Sequence, residues 1–395
     1  MSEVGVPLRV ALLAGTLGRG GAEKQLVYMA QALRESGVSV RVYTLGENQF
    51  FEAVLREAGL GVIGVGRPAN PLARLAKFAR ALHQFSPHIV QAAHFYVNLY
   101  VAIASRLSGS LGIGAIRNDT IHDLHTTGAW APFLLRMPTA LLVNSSTARH
   151  NAERLGVAPV KIHVLPNVID PAPFRQAWER RQCARRDQVV VAVVARLERA
   201  KRVDRFLESL ALARRSTPEL KGVVVGVGSE RESLETLAGG LGLRPAGVEF
   251  RGSCNDIPAL LAEADMLSLT SDHEGFPNVI LEAMAAGLPV VTTPAGDAAS
   301  VVKDGFTGYV VQFDDIEAGA ERMARLARSP DLRLRLGQSG QQEVTARYSC
   351  TGLSDRLLAV YHAVAQRSGD DRALAACNSP YLKYSTAHTG AERTA

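Results

Sequence analysis

A chain of 395 residues, 47% hydrophobic and 21% charged, has the balance of a globular protein of two or three domains with ample core. Its formal net charge of +6 suits anionic partners such as nucleotide-sugars or a phospholipid surface. The 6% aromatic content and the lack of a recognisable binding module speak against nucleic acid. No apolar run approaches the ~20 residues of a membrane span, and no basic-then-apolar leader opens the sequence. Cys183, Cys254, Cys350 and Cys377 have no metal-like spacing, so reduced thiols in a cytoplasmic protein are expected.

Short apolar runs alternate with helical patterns along the chain, which predicts α/β domains built on parallel sheets. In the first half the predicted strands are 8–14, 38–44, 61–65, 88–93, 112–117, 140–144 and 161–165. The first of them runs into a loop, Gly15 to Glu23, with glycines at 15, 18, 20 and 21. Such a loop lets the backbone pass close to a ligand and opens a helix (22–36) whose N-terminus can face phosphate. Glu23 stands where the dinucleotide fingerprint needs its third glycine, so that fingerprint is not met; a turn that merely packs is the plainer alternative. The 71–85 segment, PLARLAKFARALHQF, sets Leu72, Leu75, Ala79 and Leu82 on one helical face and Arg74, Lys77, Arg80 and Gln84 around the rest. It reads either as a helix packed on its sheet with a solvated basic face or as a surface touching an anionic membrane. His94 follows the fourth strand and is either a satisfied half-buried histidine or a donor to a ligand.

The three prolines of PNVIDPAPF (166–174) interrupt helix and strand alike and mark the domain boundary. An arginine-rich surface helix is expected over 176–187, and a second series of strands follows at 188–195, 222–226, 248–251, 266–270, 289–293 and 308–312. Arg196 stands just past the first of these, with Lys201 five residues on, before a helix beginning near Asp204. A bidentate arginine and a point-charge lysine at a strand end suit a diphosphate; a solvated basic loop is the alternative. In HEGFPNVILEAMAAG (273–287), Glu274 and Glu282 bracket a helix start, with Pro277 suited to its first turn and Gly287 to its end. A helix N-terminus beside a carboxylate can hold a ligand that carries phosphate and hydroxyls, although two solvated glutamates on a capped helix have the same pattern. Residues 353–365 are amphipathic, and from 368 onward the periodicity is lost, which predicts a disordered tail.

The 273–287 stretch resembles the E-x7-E signature of retaining glycosyltransferases of the GT-B fold, in particular glycosyltransferase family four. GGAE at 20–23, PNVID at 166–170 and RLERAK at 196–201 resemble further motifs of that family, in its order, and the similarity covers roughly residues 8–365. The resemblance implies two Rossmann-like doubly wound domains facing a central cleft: an acceptor-side domain over 1–168 and a nucleotide-sugar-binding domain over 169–350. A helix at 351–367 would cross back to the first domain, ahead of the 368–395 tail. It assigns Glu274, Arg196, Lys201 and His94 to catalysis. Gly20 and Gly21 would lie against the donor phosphates and the acceptor, and Arg196 and Lys201 on the diphosphate. Glu274 and the backbone of Gly275, Phe276, Pro277 and Asn278 would hold the transferred sugar, Glu282 the ribose hydroxyls, and the loop from Gly252 the nucleobase.

No cofactor is expected beyond a nucleotide diphosphate sugar as donor, with UDP-sugars the commonest in the family. No metal is expected either: there is no Asp-x-Asp centre, and Arg196, Lys201 and helix dipoles can offset the diphosphate charge. The implied activity is transfer with retention, by same-face attack, to a glycan or lipid-linked acceptor in cell-surface polysaccharide or glycolipid synthesis, in the cytoplasm or at the inner membrane face. A nucleotide-sugar 2-epimerase of the same fold and a non-catalytic nucleotide-sugar-binding scaffold are the alternatives. The sequence departs from the family at Ala195 and Arg202, which replace common glycines, and at Asp297 and Ser300, where glycine and glutamate are frequent. It also carries Arg117-Asn118-Asp119, with His122 and His125 after it, where the family often has a second histidine.

Overall fold

The computed structural model describes residues 6–66, 70–117, 130–182 and 188–383. The chain divides into two compact units, Met1–Val168 with Cys350–Ala395, and Ile169–Ser349. Each is built on one parallel sheet. In the first unit β1 (Arg9–Ala14), β2 (Ser39–Thr44), β3 (Gly61–Gly64), β4 (Ile89–Ala92), β5 (Leu111–Ile116), β6 (Ala140–Val143) and β7 (Ile162–Val164) lie in the order β3-β2-β1-β4-β5-β6-β7. In the second, β8 (Val189–Val194), β9 (Leu220–Val225), β10 (Val248–Phe250), β11 (Met266–Leu269), β12 (Val290–Thr292) and β13 (Gly308–Val310) lie in the order β10-β9-β8-β11-β12-β13. Both are Rossmann-like, and in both the winding reverses at one point: between β1 and β4 in the first, between β8 and β11 in the second.

Alternation along the central strands distributes the core. In β1, Val10, Leu12 and Ala14 face the layer holding the Gly21–Glu35 helix, while Ala11 and Leu13 face Phe78, Leu82 and Phe85 of the Pro71–Phe85 helix. The buried stripe of that last helix is therefore centred on Phe78 rather than on the expected Leu72–Leu75 line. Leu72 is 76% exposed and Leu75 and Ala79 are only partly buried. Lys77 and Arg80 lie on the exposed side.

Two expectations are corrected. The predicted surface helix begins earlier, at Ala172–Gln182, and buries Phe174 and Ala177; residues 183–187 lie outside the described residues. The tail predicted to be disordered is ordered in its first part. After the Leu353–Ser368 helix, which sets Leu357, Leu358, Tyr361 and Val364 in the first unit's core, Gly369 turns the chain at φ 64°. A short helix, Asp371–Cys377, follows, capped by the Asp370 side chain on Ala373 N–H at 2.9 Å. It buries Ala373, Ala376 and Cys377, and Lys383 N–H then donates to Ser36 O at 2.9 Å. Its apolar face is made of small residues at i, i+3 and i+4, too weak a pattern to register as amphipathic but enough to seal a shallow face. Residues 384–395 lie outside the described residues.

Ending the chain at Gly369 should lower the melting temperature of the first unit, because the buried side chains of this helix are worth about 2–4 kcal/mol together. A truncated protein that melts with the full chain would show that the helix adds nothing to the core.

Candidate functional site

Because β8 and β11 are hydrogen-bonded neighbours, the loops leaving their carboxyl ends lie side by side. After β8 the chain makes a 3-10 turn, Arg199–Lys201, and Arg202 adopts the left-handed conformation, φ 47° and ψ 45°. The loop after β11 grips this turn: Thr270 Oγ1 donates to Arg202 O at 2.8 Å and Asp272 N–H to Ala200 O at 2.9 Å. Lys201 Nζ is thereby brought to donate to Glu274 Oε1 at 2.7 Å, and Ser271 Oγ donates to the same oxygen at 2.7 Å. The pair is largely shielded, with side chains 19% and 13% exposed.

A second charged layer supports it. Arg205, nearly fully buried, reaches Asp272 Oδ1 at 2.5 Å, Asp314 Oδ1 at 2.7 Å and Thr270 O at 3.2 Å. Arg202 is paired with Asp204 at 3.0 Å and with Asp272 at 3.4 Å, and the hydrogen bond to Asp204 raises its pKa above the ordinary guanidinium value. Asp272 is thus held from both sides, which fixes the backbone that carries Glu274. Arg196 does not join this cluster: its side chain is 73% exposed and turns to Glu198 Oε1 at 2.6 Å.

The 273–287 stretch folds as loop and helix, Asn278–Ala285, with Pro277 as its N-cap residue rather than inside its first turn. Gly287 stands at φ 68°, and the bonds Gly287 N–H to Met284 O and Leu288 N–H to Ala283 O close the end. Gly296, at φ 55°, lies so near that a Cβ there would come within 2.1 Å of Glu274 O, and Asp297 N–H donates to Gly275 O at 3.1 Å. The 294–300 loop therefore rests on the Glu274–Gly275 backbone. Phe276 is 7% exposed, its ring centroid 5.5 Å from that of Tyr348, so its side chain belongs to the core. Asn278 is the first helical residue, and Glu282, in the next turn, is buried. Gly252 follows β10, with its carbonyl accepting from Gly226 N–H at 2.8 Å and no close neighbour over its Cα.

In the first unit β1 and β4 are neighbours, and a second polar group forms beyond their ends. Gly15 N–H donates to His94 Nδ1 at 3.2 Å, so neutral His94 carries its proton on Nε2. That nitrogen is sealed from solvent 3.3 Å from Glu23 Oε1, without a well-aligned bond. Glu23 folds back over Gly20, the N-cap residue, where a Cβ would meet its Oε2 at 2.1 Å; Gly21 opens the helix. Half-exposed Tyr96 stacks on His94 at 5.3 Å, and its hydroxyl is pushed up to about 12 by burial and by the Glu23 charge.

Sequence reasoning singled out Gly20, Gly21, His94, Lys201 and Glu274 but missed Tyr96, Ser271 and the Arg205–Asp272 support. Two polar residues just ahead of the E-x7-E start were the available signal for Ser271 and Asp272. Asn118, Asp119, His122 and His125 lie outside the described residues. Among the described residues no group of three or more His, Cys, Asp or Glu could hold a metal ion, and no helix is long and apolar enough to cross a membrane.

Comparison with known proteins agrees with this architecture. Residues 174–343 match the family model described as glycosyl transferases group 1, and residues 19–173 the model for glycosyltransferase family 4. EpsD of Bacillus subtilis is 31% identical over 45% of this chain, which spans only 46% of that protein's length. The lipopolysaccharide core biosynthesis glycosyltransferase LpsE of Rhizobium meliloti is 26% identical over 86% of this chain and 95% of its own. The crystal structure of HepE from Anabaena in complex with UDP and glucose superposes with a TM-score of 0.78 at 21% identity, covering 89% of this chain and 99% of that one; it has the same fold.

The Lys201–Glu274 bond sets an expectation for stability. Lys201→Met and Glu274→Gln should each destabilise the second unit by leaving a shielded charge alone, while the double variant recovers about 1–3 kcal/mol. Denaturant titrations of the four proteins measure this, and strictly additive effects would mean that the pair is not coupled.

Proposed function

We propose that this chain, which belongs to the GT-B glycosyltransferases of the group 1 and family 4 kind, moves a sugar from a nucleotide diphosphate sugar to a glycan or lipid-linked acceptor with retention at the anomeric carbon. The observation that carries the reading is the Lys201–Glu274 bond at the switch point of the second sheet. One partner is a cation suited to a leaving diphosphate, the other a carboxylate suited to sugar hydroxyls, and they stand 2.7 Å apart. HepE, of the same fold, has been crystallised with UDP-glucose and with UDP and glucose, which supports a nucleotide-sugar donor with UDP as its first candidate.

On this reading the donor inserts between the two partners. Breaking the anomeric bond builds negative charge on the diphosphate, which Lys201 offsets; Arg196, on its exposed loop, adds a second cation. Glu274, fixed by Ser271, accepts hydrogen bonds from the sugar and orients it, with the Gly275–Asn278 backbone beside it. Glu282 takes the ribose hydroxyls, and the loop from Gly252 flanks the base. Same-face attack by the acceptor fits this reading, because Glu274 is already engaged by Lys201 and Ser271 rather than free to attack. In the first unit, His94 offers its Nε2 proton to an acceptor hydroxyl once Glu23, 3.3 Å away, moves aside. Lys201, held in place, and Arg196, on its exposed loop, reduce the need for a divalent ion.

Glu274→Ala and Lys201→Ala should each slow transfer by about 2–4 kcal/mol of transition-state stabilisation while the protein stays folded. Product release from a panel of nucleotide-sugars, with and without acceptor, measures it; near-wild-type turnover by either variant would remove the donor site. Transfer should also persist in EDTA, and an absolute divalent-ion requirement would overturn the charge argument.

For the cell-surface role, supported by the name of LpsE, we infer peripheral contact with an anionic inner leaflet through Arg74, Lys77 and Arg80 of the Pro71–Phe85 helix, beside exposed Leu72. Replacing the three basic residues by glutamine should weaken co-sedimentation with anionic liposomes at low salt. A wild-type protein that stays in the supernatant would instead point to a soluble acceptor.

A further inference from the structure

Arg117 is a largely shielded cation without a counter-ion among the described residues. It leaves the carboxyl end of β5, and its Nε is sealed from solvent with no acceptor. Among the described residues its terminal nitrogens reach Asn167 Oδ1 and Met29 Sδ, each at 3.5 Å and neither of them charged. Burial pushes its pKa down to about 10, and no carboxylate among the described residues offsets that. Arg205 shows what this chain does when a buried guanidinium is structural: it takes Asp272, Asp314 and a main-chain carbonyl. Leaving a buried guanidinium unpaired is costly.

The surroundings of Arg117 are incomplete in the same way. Asn144, just past β6, donates through Nδ2 to Arg117 O at 3.1 Å, yet its own Oδ1 is buried with no donor. Asn167, past β7 and 5% exposed, presents its Oδ1 to the guanidinium. Strands β5, β6 and β7 are consecutive neighbours, so all three residues sit beyond the same carboxyl edge of the first sheet, where open parallel sheets bind ligands.

We propose that Arg117, with Asn144 and Asn167, forms a binding subsite for an anionic group, a phosphate or a carboxylate, on the sugar acceptor. The guanidinium fork takes two oxygens of the anion, and Asn144 Oδ1 takes a hydroxyl of the same molecule. A neutral acceptor would leave the cation unpaired, so the site selects acidic acceptors over neutral ones. The word acceptor rests on the glycosyltransferase reading; the anion site does not.

The test uses thermal melts of the full chain against inorganic phosphate and, separately, glucuronate, with chloride at matched ionic strength as control. Lys201→Ala serves as a background in which the donor-side cation is gone. Wild type and Lys201→Ala should both gain about 3–5 °C at roughly ten times Kd. Arg117→Met should gain nothing, and its ligand-free melting temperature should equal or exceed wild type, since an unpaired buried charge has been removed. Arg117→Lys keeps the charge but not the fork and should show a smaller gain, which keeps the comparison available if the methionine variant does not fold. A gain with phosphate alone or with glucuronate alone identifies the anion. No gain from either in Lys201→Ala, or an unchanged gain in Arg117→Met, overturns the site. A wild type stabilised by anion yet inert toward every sugar donor overturns its assignment to an acceptor.

Discussion

One hydrogen bond, from Lys201 Nζ to Glu274 Oε1, joins two residues 73 apart in the chain, and much of the second unit is arranged to hold it. The bond is possible because β8 and β11 are adjacent, because Thr270 and Asp272 clamp the Ala200–Arg202 turn, and because Arg205 anchors Asp272 from below. A shielded ion pair contributes little to net stability, since the desolvation of both charges offsets their attraction. Its consequence is specificity. Whatever separates the partners must replace both, giving the lysine an anion and the carboxylate a donor. Phosphate alone or a neutral sugar alone does half of that. A molecule carrying both fits the exchange, which is why the pair points to a nucleotide-sugar on the proposed reading.

The same crevice is shaped by backbone that must come close. Gly226, at φ 147°, leaves no room for a Cβ, which would lie 1.8 Å from Ala195 O. Gly296 is as tightly placed over Glu274 O. These contacts tie the ends of β8 and β9, and the 294–300 loop with the 274–275 backbone, into one surface. Asp297, where the sequence departs from its family, donates its N–H to Gly275 O, so that departure falls on the support of Glu274, whereas Ser300 is an exposed residue of the short Ala298–Val301 helix.

Most of the fold could be read from the sequence because strands buried on both faces are continuous apolar runs, as Val189–Val194 is, and glycines punctuate the helices between them. Some strand ends were read a residue or so too long, since Leu8 and Val65 stay buried and still share a backbone hydrogen bond with the neighbouring strand just outside Arg9–Ala14 and Gly61–Gly64. The 371–377 helix escaped because alanine and cysteine give almost no moment. Within the site, Glu274 and Lys201 were legible as motif members, but their contact was not: both had been given ligands, and only the fold shows that each is the other's partner. Arg196 shows the same limit, since position past a strand end fixes where a side chain starts and not where it turns. Tyr96 and Glu23 belong to elements paired through β1 and β4, and no local pattern announces that.

The two switch points carry different chemistry on the same geometry. Beyond β8 and β11 a full charge pair is screened by further charges. Beyond β1 and β4 a histidine held by a main-chain N–H faces a carboxylate without a good bond, under an aromatic ring. The first can offset a developing anion; the second can present one proton and little net charge. The acidic Glu23 sits in the first turn of the Gly21–Glu35 helix, the end where the helix dipole favours a negative charge.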